Sequence, residues 1–314
     1  MNEYGRNTRT MADALILVDP HMHLWDLAHI RYPWLTPPLG DGGVNGDVTP
    51  IAHDQGVDDY LAAAGELPEG WTLGKSVHID AGAHPDDALK ESAWLQGLAD
   101  RTGFPHGIVG YAALEAPDAE RVLAAHAQSR NIRGIRQILN WHPDPAKTYT
   151  PRDLLPDAAW QAGFGLLAKY GLSFDLQIYP GQMAAAADLA ARHPGTTLIL
   201  NHTGMPVDKD ADGLALWRAG MAALARHPNV QVKISGLGML DRAWTPDSIR
   251  PFILHTIELF GVERCMVASN FPVDGLGGRF GAYFQAYDHI TRDFSRDERA
   301  ALFGGTATRV YRLN

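Results

Sequence analysis

The chain has 314 residues, of which 46% are hydrophobic and 20% charged, a composition typical of a globular protein with a large core. Its 27 basic and 36 acidic residues give a formal net charge of −9, and no Lys/Arg-rich block interrupts the sequence. These properties argue against a nucleic-acid-binding protein and against docking on an anionic membrane, which leaves a small molecule as the expected partner.

The sequence contains no segment that suggests export or membrane insertion. No apolar run approaches the length of about 20 residues that a bilayer-spanning helix needs. Residues 1–13 lack the long apolar region of a signal peptide and predict a flexible tail. Cys265 is the only cysteine, so no internal disulfide can form, and its apolar setting indicates a buried strand residue. We therefore expect a cytoplasmic protein, and we leave its oligomeric state open, a homo-oligomer included.

Short β-like segments alternate with longer helix-like segments along the chain. The predicted strands are LILVDPH (15–21), KSVHID (75–80), GIVGYAAL (107–114), IRGIRQIL (132–139), SFDLQIY (173–179), TTLILNHTG (196–204), VQVKISGLG (230–238) and RCMVASNF (264–271). Because alternating β and α units build a parallel sheet and eight strands close a barrel, the pattern predicts a single α/β domain, a (β/α)8 TIM barrel, over residues 14–314.

Helix signals fall between these strands. The predicted helices span residues 85–101, 118–130, 154–170, 182–192, 214–226, 246–260 and 296–309. The clearest begins after Thr245, a good N-cap, has Pro246 at its first position and ends before Gly261. Residues 29–55 are too rich in Pro and Gly for regular structure, so we expect a long loop over the carboxyl-terminal mouth of the barrel.

Two histidines stand at the end of the first predicted strand. His21 and His23 in LILVDPHMH are separated by one residue, so they project from the same face of a strand. Two imidazoles that converge there are suited to hold a divalent metal. The spacing alone is a weak signal, because 14 histidines in 314 residues give about 0.6 such pairs by chance. The position of the pair after the first strand makes it a candidate site.

Polar residues occupy several positions that strand alternation turns into the barrel. The residues predicted to face inward are Gln231, Lys233 and Ser235 on one strand, Asp175, Gln177 and Tyr179 on another, and His78 and Asp80 on a third. On that third strand, Val77 and Ile79 would face the helices. Buried polar groups cost free energy unless they pair or bind something. These residues therefore form either a hydrogen-bond network or part of a ligand site, and the sequence leaves both open.

Two further residues stand near predicted strand ends. His202 in LILNHTG is a candidate metal ligand or general base, with a loop histidine of purely structural role as the alternative. Arg136 in GIRQIL is suited to grip a carboxylate with two hydrogen bonds, and its alternative is an ion pair with an interior acid such as Asp175.

The ordered set of motifs VDPHMHLWD, RYPWL, GIRQILNWHP, LILNHTGMP, VKISGLG and SNFPVDGL, from Asp19 to about Leu276, resembles the amidohydrolase superfamily. The resemblance is to the branch of 2-pyrone-4,6-dicarboxylate lactonase, L-fuconolactonase and related sugar-acid lactonases. It implies a distorted (β/α)8 barrel with its site at the carboxyl ends of the strands. It also implies that His21 and His23 are metal ligands and that His202 is the histidine of the sixth strand.

Two positions depart from the pattern of the metal-using members. Asn270 stands where they have an aspartate that ligates the metal and takes a proton from water, and Gln177 stands in place of the fifth-strand histidine. Carboxamides are neutral, are poor zinc ligands and accept no proton near pH 7. The resemblance thus implies either a divalent cation such as zinc or metal-independent activity. Asp274, four residues after Asn270, offers a substitute carboxylate, and Arg279 offers a further contact; structural roles are the alternative for both.

We expect the protein to be a hydrolase that opens a small lactone carrying carboxylate or hydroxyl groups, by attack of water on the ring carbonyl. His202 would be the base, His21 and His23 would polarise the carbonyl directly or through a cation, and Asn270 would orient the water or the carbonyl. The expected substrate-binding residues are His78, Arg136, Lys233 and Gln177, with Trp34 and Trp141, and also Trp25 and Tyr32, as aromatic lining. The alternatives are a lactone isomerase, a decarboxylase on the same scaffold, and a sugar-acid-binding protein without activity.

Overall fold

The computed structural model describes residues 15–40 and 43–313 and contains one sheet of eight parallel strands in sequential order. The strands are β1 (Leu15–Met22), β2 (Trp71–Ile79), β3 (Gly107–Tyr111), β4 (Ile132–Ile138), β5 (Ser173–Gln177), β6 (Leu198–Leu200), β7 (Val230–Ile234) and β8 (Cys265–Val267). The first and last strands meet where Met22 pairs with Phe271. Two backbone hydrogen bonds join them there: the His23 amide donates to the Phe271 carbonyl at 2.8 Å, and the Asn270 amide donates to the His21 carbonyl at 2.8 Å. The barrel is nearly closed, and the predicted (β/α)8 fold is confirmed.

Helices follow the strands around the outside. They are α1 (Val57–Ala64), α2 (Ala88–Thr102), α3 (Ala119–His126), α4 (Ala158–Gly165), α5 (Met183–Arg192), α6 (Ala211–Ala225), α7 (Leu237–Leu240), α8 (Pro246–Phe260), α9 (Phe280–Ile290), α10 (Arg296–Ala300) and α11 (Thr306–Val310). The Thr245 side chain caps α8 by accepting from the Ser248 amide at 3.2 Å, as its sequence predicts. Among the helices of the described residues, none has the length and apolar composition to cross a membrane.

Four helical features differ from the sequence prediction. The sequence did not indicate α1, which begins at Val57 after Gly56, a residue without a side chain to cap it, or α9, whose many aromatic residues also suit a strand. It did not indicate α7 either, which begins inside the strand predicted over 230–238. The helix expected over 296–309 is split by a π-helical turn at Ala301–Gly305. Residues 29–55 contain short 3₁₀ turns and, in their described part, no strand or α-helix. The predicted tail, residues 1–13, lies outside the described residues.

Apolar side chains form one layer between the sheet and the helices and a second cluster inside the barrel. The outer layer includes Leu17, Ile135 and Phe174. The inner cluster consists of Val18, Val77, Ile79, Val109, Ile199 and Met266 with the carboxyl-terminal residues Ala307, Val310, Tyr311 and Leu313. This inner cluster lies against buried polar groups, since its Tyr311 donates to Asp175 and its Met266 pairs in register with Lys233.

The face assignment of β2 is reversed from the prediction. Val77 and Ile79 belong to the inner cluster, whereas His78 pairs in register with Ile108 of the outer layer. The pairing of β1 with β2 shifts register at two places. Because a one-residue slip turns every side chain to the opposite face, alternation along β2 could not be assigned from its sequence alone.

Candidate active site

A cavity of about 460 Å³ opens at the carboxyl ends of the strands, a volume within the usual range for small-molecule sites. Six of the predicted site residues line it: His23, Trp34, Arg136, Gln177, His202 and Asn270. These residues come from the ends of five different strands and from the loop after β1. The structure thus brings distant parts of the sequence into one pocket.

Four other predicted site residues are not part of the cavity lining. His21 is buried behind it, with its ring centre 4.5 Å from that of His202. His78 is buried on the other face of β2, where its Nδ1 accepts from the Leu24 amide at 3.1 Å. Lys233 is buried in an ion pair with Asp175, and the Trp141 side chain lies in the loop after β4, 36% exposed. The sequence had assigned His78 to the opposite face of β2, and its role in substrate binding stays a prediction.

His202 follows β6 in an unusual backbone turn. Its φ of 56° lies in the left-handed region, as does that of Thr203 at 55°, and such angles in residues with side chains are typical of functional sites. Its Nδ1 lies 3.1 Å from the Ser235 Oγ, and its Nε2 has no hydrogen-bond partner within residues 15–40 and 43–313. Burial, then the nearby Arg136, holds the pKa of His202 well below 6.5, so the ring is neutral at pH 7.

Asn270 is fixed by the carboxylate that follows it by one turn. Its Nδ2 donates to the Asp274 Oδ1 at 3.1 Å, and Asp274 also accepts the backbone amides of Gly236 at 2.9 Å and Met239 at 3.0 Å. Burial raises the pKa of Asp274 to about 7. Because its oxygens are occupied and it does not line the cavity, Asp274 orients Asn270 rather than supplying a carboxylate to the pocket.

His23 lies between two hydrogen-bond acceptors, the Ile79 carbonyl and the Asn270 side-chain oxygen. Its Nδ1 lies 2.8 Å from the Ile79 carbonyl, which can only accept, so this nitrogen carries the proton. Burial, then Arg136, lowers the pKa of His23 to about 3. Its Nε2 faces a second acceptor, the Asn270 Oδ1, at 3.3 Å, so in the neutral ring only one of the two contacts is a hydrogen bond, and the shorter one, to Ile79, takes the proton. The role of His23 at a substrate carbonyl, directly or through a cation, stays a prediction.

Arg136 is held by interior partners that differ from the predicted alternative. Its Nε donates to the Asp80 Oδ2 at 3.4 Å, its Nη2 to the Asp80 carbonyl, and its Nη1 to the Gln177 Oε1 at 2.8 Å. The acid is thus Asp80 and not Asp175. A guanidinium has five N–H donors, so two of them are left for a ligand. Burial raises the pKa of Asp80, against the opposing effect of the Arg136 charge.

Sequence reasoning missed four polar residues of the cavity lining. Asn45 lies in the long loop after β1, and Lys147, Thr148 and Tyr149 lie in the loop after β4. The Tyr149 hydroxyl donates to the Asn45 Oδ1 at 3.2 Å, which joins the two loops, and Lys147 pairs with Asp208 at 2.5 Å. The loop after β1 was expected to lie over the mouth, but irregular loops carry no periodicity that identifies single lining residues. Arg279 pairs with Glu66 at the surface, away from this lining.

Comparison with protein families gives a match to the amidohydrolase model over residues 18–313. The chain belongs to this amidohydrolase family. It is 46% identical to the uncharacterized protein y4mH of Sinorhizobium fredii over 95% of this chain and 99% of that protein. It is 30% identical to an L-fucono-1,5-lactonase of Burkholderia multivorans, over 94% and 96% of the two chains. A crystal structure of a Burkholderia multivorans amidohydrolase with bound zinc superposes with a TM-score of 0.77 at 29% identity, covering 95% of this chain and 100% of that one.

Zinc, which that amidohydrolase holds, requires ligand atoms with an available lone pair. Imidazole ligates zinc through a nitrogen lone pair, but the Nδ1 of His21 faces the Lys233 ammonium at 3.3 Å, which places the proton of the neutral ring on Nε2. The Gln177 Oε1 is already occupied by Arg136. Over the described ranges, no group of three or more His, Cys, Asp or Glu side chains is arranged to hold a metal ion. These residues, as arranged, do not fit a zinc centre.

The amidohydrolase site therefore combines one open histidine nitrogen, one oriented amide and two free guanidinium N–H groups. Such a set can accept a proton, donate to a developing oxyanion and hold polar substituents of a ligand.

Proposed function

We propose that this amidohydrolase opens a small lactone by attack of water on the ring carbonyl. The observation that carries the proposal is the open Nε2 of His202 in the same cavity as Asn270 and Arg136. Similarity to L-fucono-1,5-lactonases over almost the whole chain supports it. The product would be a hydroxy acid, which releases one proton at neutral pH.

His202 is the proposed general base. The ring is neutral at pH 7, and when Nδ1 donates to the Ser235 Oγ, the lone pair on Nε2 is free to take a proton from water. As the water oxygen adds to the carbonyl carbon, its proton passes to Nε2. When the ring C–O bond breaks, the leaving alkoxide takes this proton back from the imidazolium, so His202 ends the cycle neutral.

Asn270 and Arg136 are the proposed donors to the carbonyl oxygen and its neighbours. Asp274 accepts one of the two Asn270 amide hydrogens, and the second is left for a substrate oxygen. Arg136 contributes its two free N–H groups. Donors that are fixed before the reaction stabilise the oxyanion without reorganisation, which is the largest effect in many acyl-transfer sites.

The charges of the pocket favour a lactone rich in hydroxyl groups over one with several carboxylates. Arg136 is compensated by Asp80 and Lys147 by Asp208, so the two cationic side chains of the lining bring no uncompensated charge. Trp34, whose Nε1 donates to the Ala81 carbonyl at 2.8 Å, offers an apolar face for the ring. We therefore place sugar-acid lactones before dicarboxylic pyrones as substrates.

No step of this mechanism passes through a metal. The zinc-containing relative makes cation dependence a separate question, which metal analysis of the purified protein, before and after chelation, addresses directly. Cytoplasmic location and homo-oligomer formation stay predictions from the sequence.

The test is a panel of 1,4- and 1,5-sugar lactones and aromatic-derived lactones, followed with a pH indicator and corrected for spontaneous hydrolysis. The His202→Ala variant is the matched control. Release of one proton per ring opened, catalysed by the wild-type protein only, is expected. Release of carbon dioxide would identify a decarboxylase, and conversion between lactones without acid would identify an isomerase. No turnover, together with measurable binding of an aldonate, would identify a binding protein.

A further inference from the structure

Lys233 is a buried cation that the proposed mechanism does not use. It lies on β7 inside the barrel with no exposed surface, and its Nζ forms an ion pair with Asp175 on β5. The Tyr311 hydroxyl, from the carboxyl-terminal segment, donates to the same carboxylate at 2.9 Å. A buried carboxylate with these partners is compensated, so the pair needs no ligand to satisfy it.

The ammonium of Lys233 also determines the protonation of His21. The Lys233 Nζ lies 3.3 Å from the His21 Nδ1, and an ammonium group has only donors. Nδ1 must therefore accept, and the single proton of the neutral ring is on Nε2. The His21 Nε2 is buried and has no hydrogen-bond partner among the residues that the structure describes.

The two histidines of the first strand therefore have opposite tautomers. His23 carries its proton on Nδ1, where the Ile79 carbonyl accepts it, and presents a bare Nε2. His21 carries its proton on Nε2, and its ring centre lies 5.0 Å from that of His23 and 4.5 Å from that of His202. The Nε2 atom is therefore unprotonated in His23 and protonated in His21, although the sequence presents the two histidines as equivalent.

We infer that Lys233 is a positioning residue that holds His21 as a neutral Nε2–H donor beside His202. In this form the buried Nε2 of His21 offers no lone pair to a metal ion, because the nitrogen that carries the proton has none to donate. The use of this donor in catalysis rests on the proposed lactone hydrolysis, whereas the tautomer itself does not.

The test is long-range proton–nitrogen correlation NMR on the full-length protein labelled with nitrogen-15 in histidine, at pH 7.5. His21→Gln identifies the His21 signals by their loss. We expect a bare-nitrogen shift for Nδ1 and a protonated-nitrogen shift for Nε2 of His21, with the reverse pattern for His23. A doubly protonated or Nδ1–H form of His21 in the wild-type protein would overturn the inference.

Two variants separate positioning by Lys233 from general packing. Lys233→Met combined with Asp175→Asn removes the donor without leaving a buried charge, and His21 is expected to lose its pure Nε2–H pattern. Tyr311→Phe removes another partner of Asp175 but leaves the Lys233–His21 contact, and the pattern is expected to persist. An unchanged His21 pattern in the double variant would refute the role of Lys233.

Zinc sulfate added to the labelled wild-type protein gives a readout that is independent of activity and of the variants. The His21 signals are expected to keep their Nε2–H pattern at equimolar zinc. Conversion of the His21 Nε2 to a metal-bound nitrogen would overturn the inference even if the double variant failed to fold. Absence of lactone turnover with the tautomer pattern intact would instead refute the proposed function alone.

Discussion

The absence of a side chain at Gly236 leaves room for the His202 ring. Its φ of +68° lies in the left-handed region, and a Cβ added there would lie 2.6 Å from the Cβ and Cγ of His202 and 2.7 Å from its Nδ1. In Gly236→Ala, the ring must retreat by about 0.8 Å to reach an ordinary contact of 3.4 Å. The Nδ1 contact with Ser235 and the direction of Nε2 would change together.

The expected effect has two parts. The left-handed backbone costs a residue with a side chain roughly 1–2 kcal/mol, and overpacking adds roughly 1–3 kcal/mol, so the free energy of unfolding should fall by about 2–5 kcal/mol. A displacement of about 1 Å in a reacting group lowers the rate by about 100-fold. Urea denaturation and kcat on the best substrate of the lactone panel measure the two parts separately.

Gly171→Ala is the matched control. Gly171 has a φ of +64°, but a Cβ added there would meet nothing within 4 Å. This variant should lose only about 1–2 kcal/mol of stability and none of its kcat. If Gly236→Ala kept kcat within threefold of the wild type, or if Gly171→Ala lost as much activity, the reasoning about His202 would be refuted.

Three further predictions concern the base and the buried charges. His202→Ala should lower kcat by at least about 100-fold with the fold retained, since a general base contributes on that scale; steady-state kinetics with turnover close to wild type would remove it from the mechanism. Arg136→Met should lower the free energy of unfolding by about 3–5 kcal/mol because it leaves Asp80 buried without its partner. Adding Asp80→Asn should recover part of this loss. A loss smaller than about 1 kcal/mol in Arg136→Met, measured by urea denaturation, would contradict the prediction. Burial, and then Asp80, raises the pKa of Glu91 to about 8, so the folded protein keeps a proton that the unfolded chain releases near its usual value of 4.5. The free energy of unfolding of the wild-type protein should therefore fall relative to that of Glu91→Gln as pH rises from 5 to 8, by up to about 1.4 kcal/mol per pH unit. Equal pH dependence of the two proteins would show that Glu91 is ionised when folded.

The sequence sufficed for the barrel and for most of the pocket. His202, Asn270 and Arg136 were identified because each lies at the end of a predicted strand, and the ends of parallel strands meet at one rim. His78 could not be placed, since the register shifts between β1 and β2 depend on pairing that one strand does not encode.

Lys233 shows a different limit of sequence reasoning. Its inward orientation was correct, but its partners Asp175 and Tyr311 come from distant parts of the chain, and only their positions distinguish an internal ion pair from a ligand contact. Tyr149 and Asn45 are joined across two loops, and no periodic pattern in either loop indicates that contact.

The most direct test of the central claim is a crystal structure with the hydroxy acid produced from the best lactone of the panel. We predict that the carboxylate of this acid lies in the cavity, with one oxygen at a hydrogen-bond distance of roughly 3 Å from the Asn270 amide, and that the hydroxyl released from the ring donates to the His202 Nε2. A carboxylate bound at the loop of Asn45, away from the Asn270 amide, would contradict this prediction.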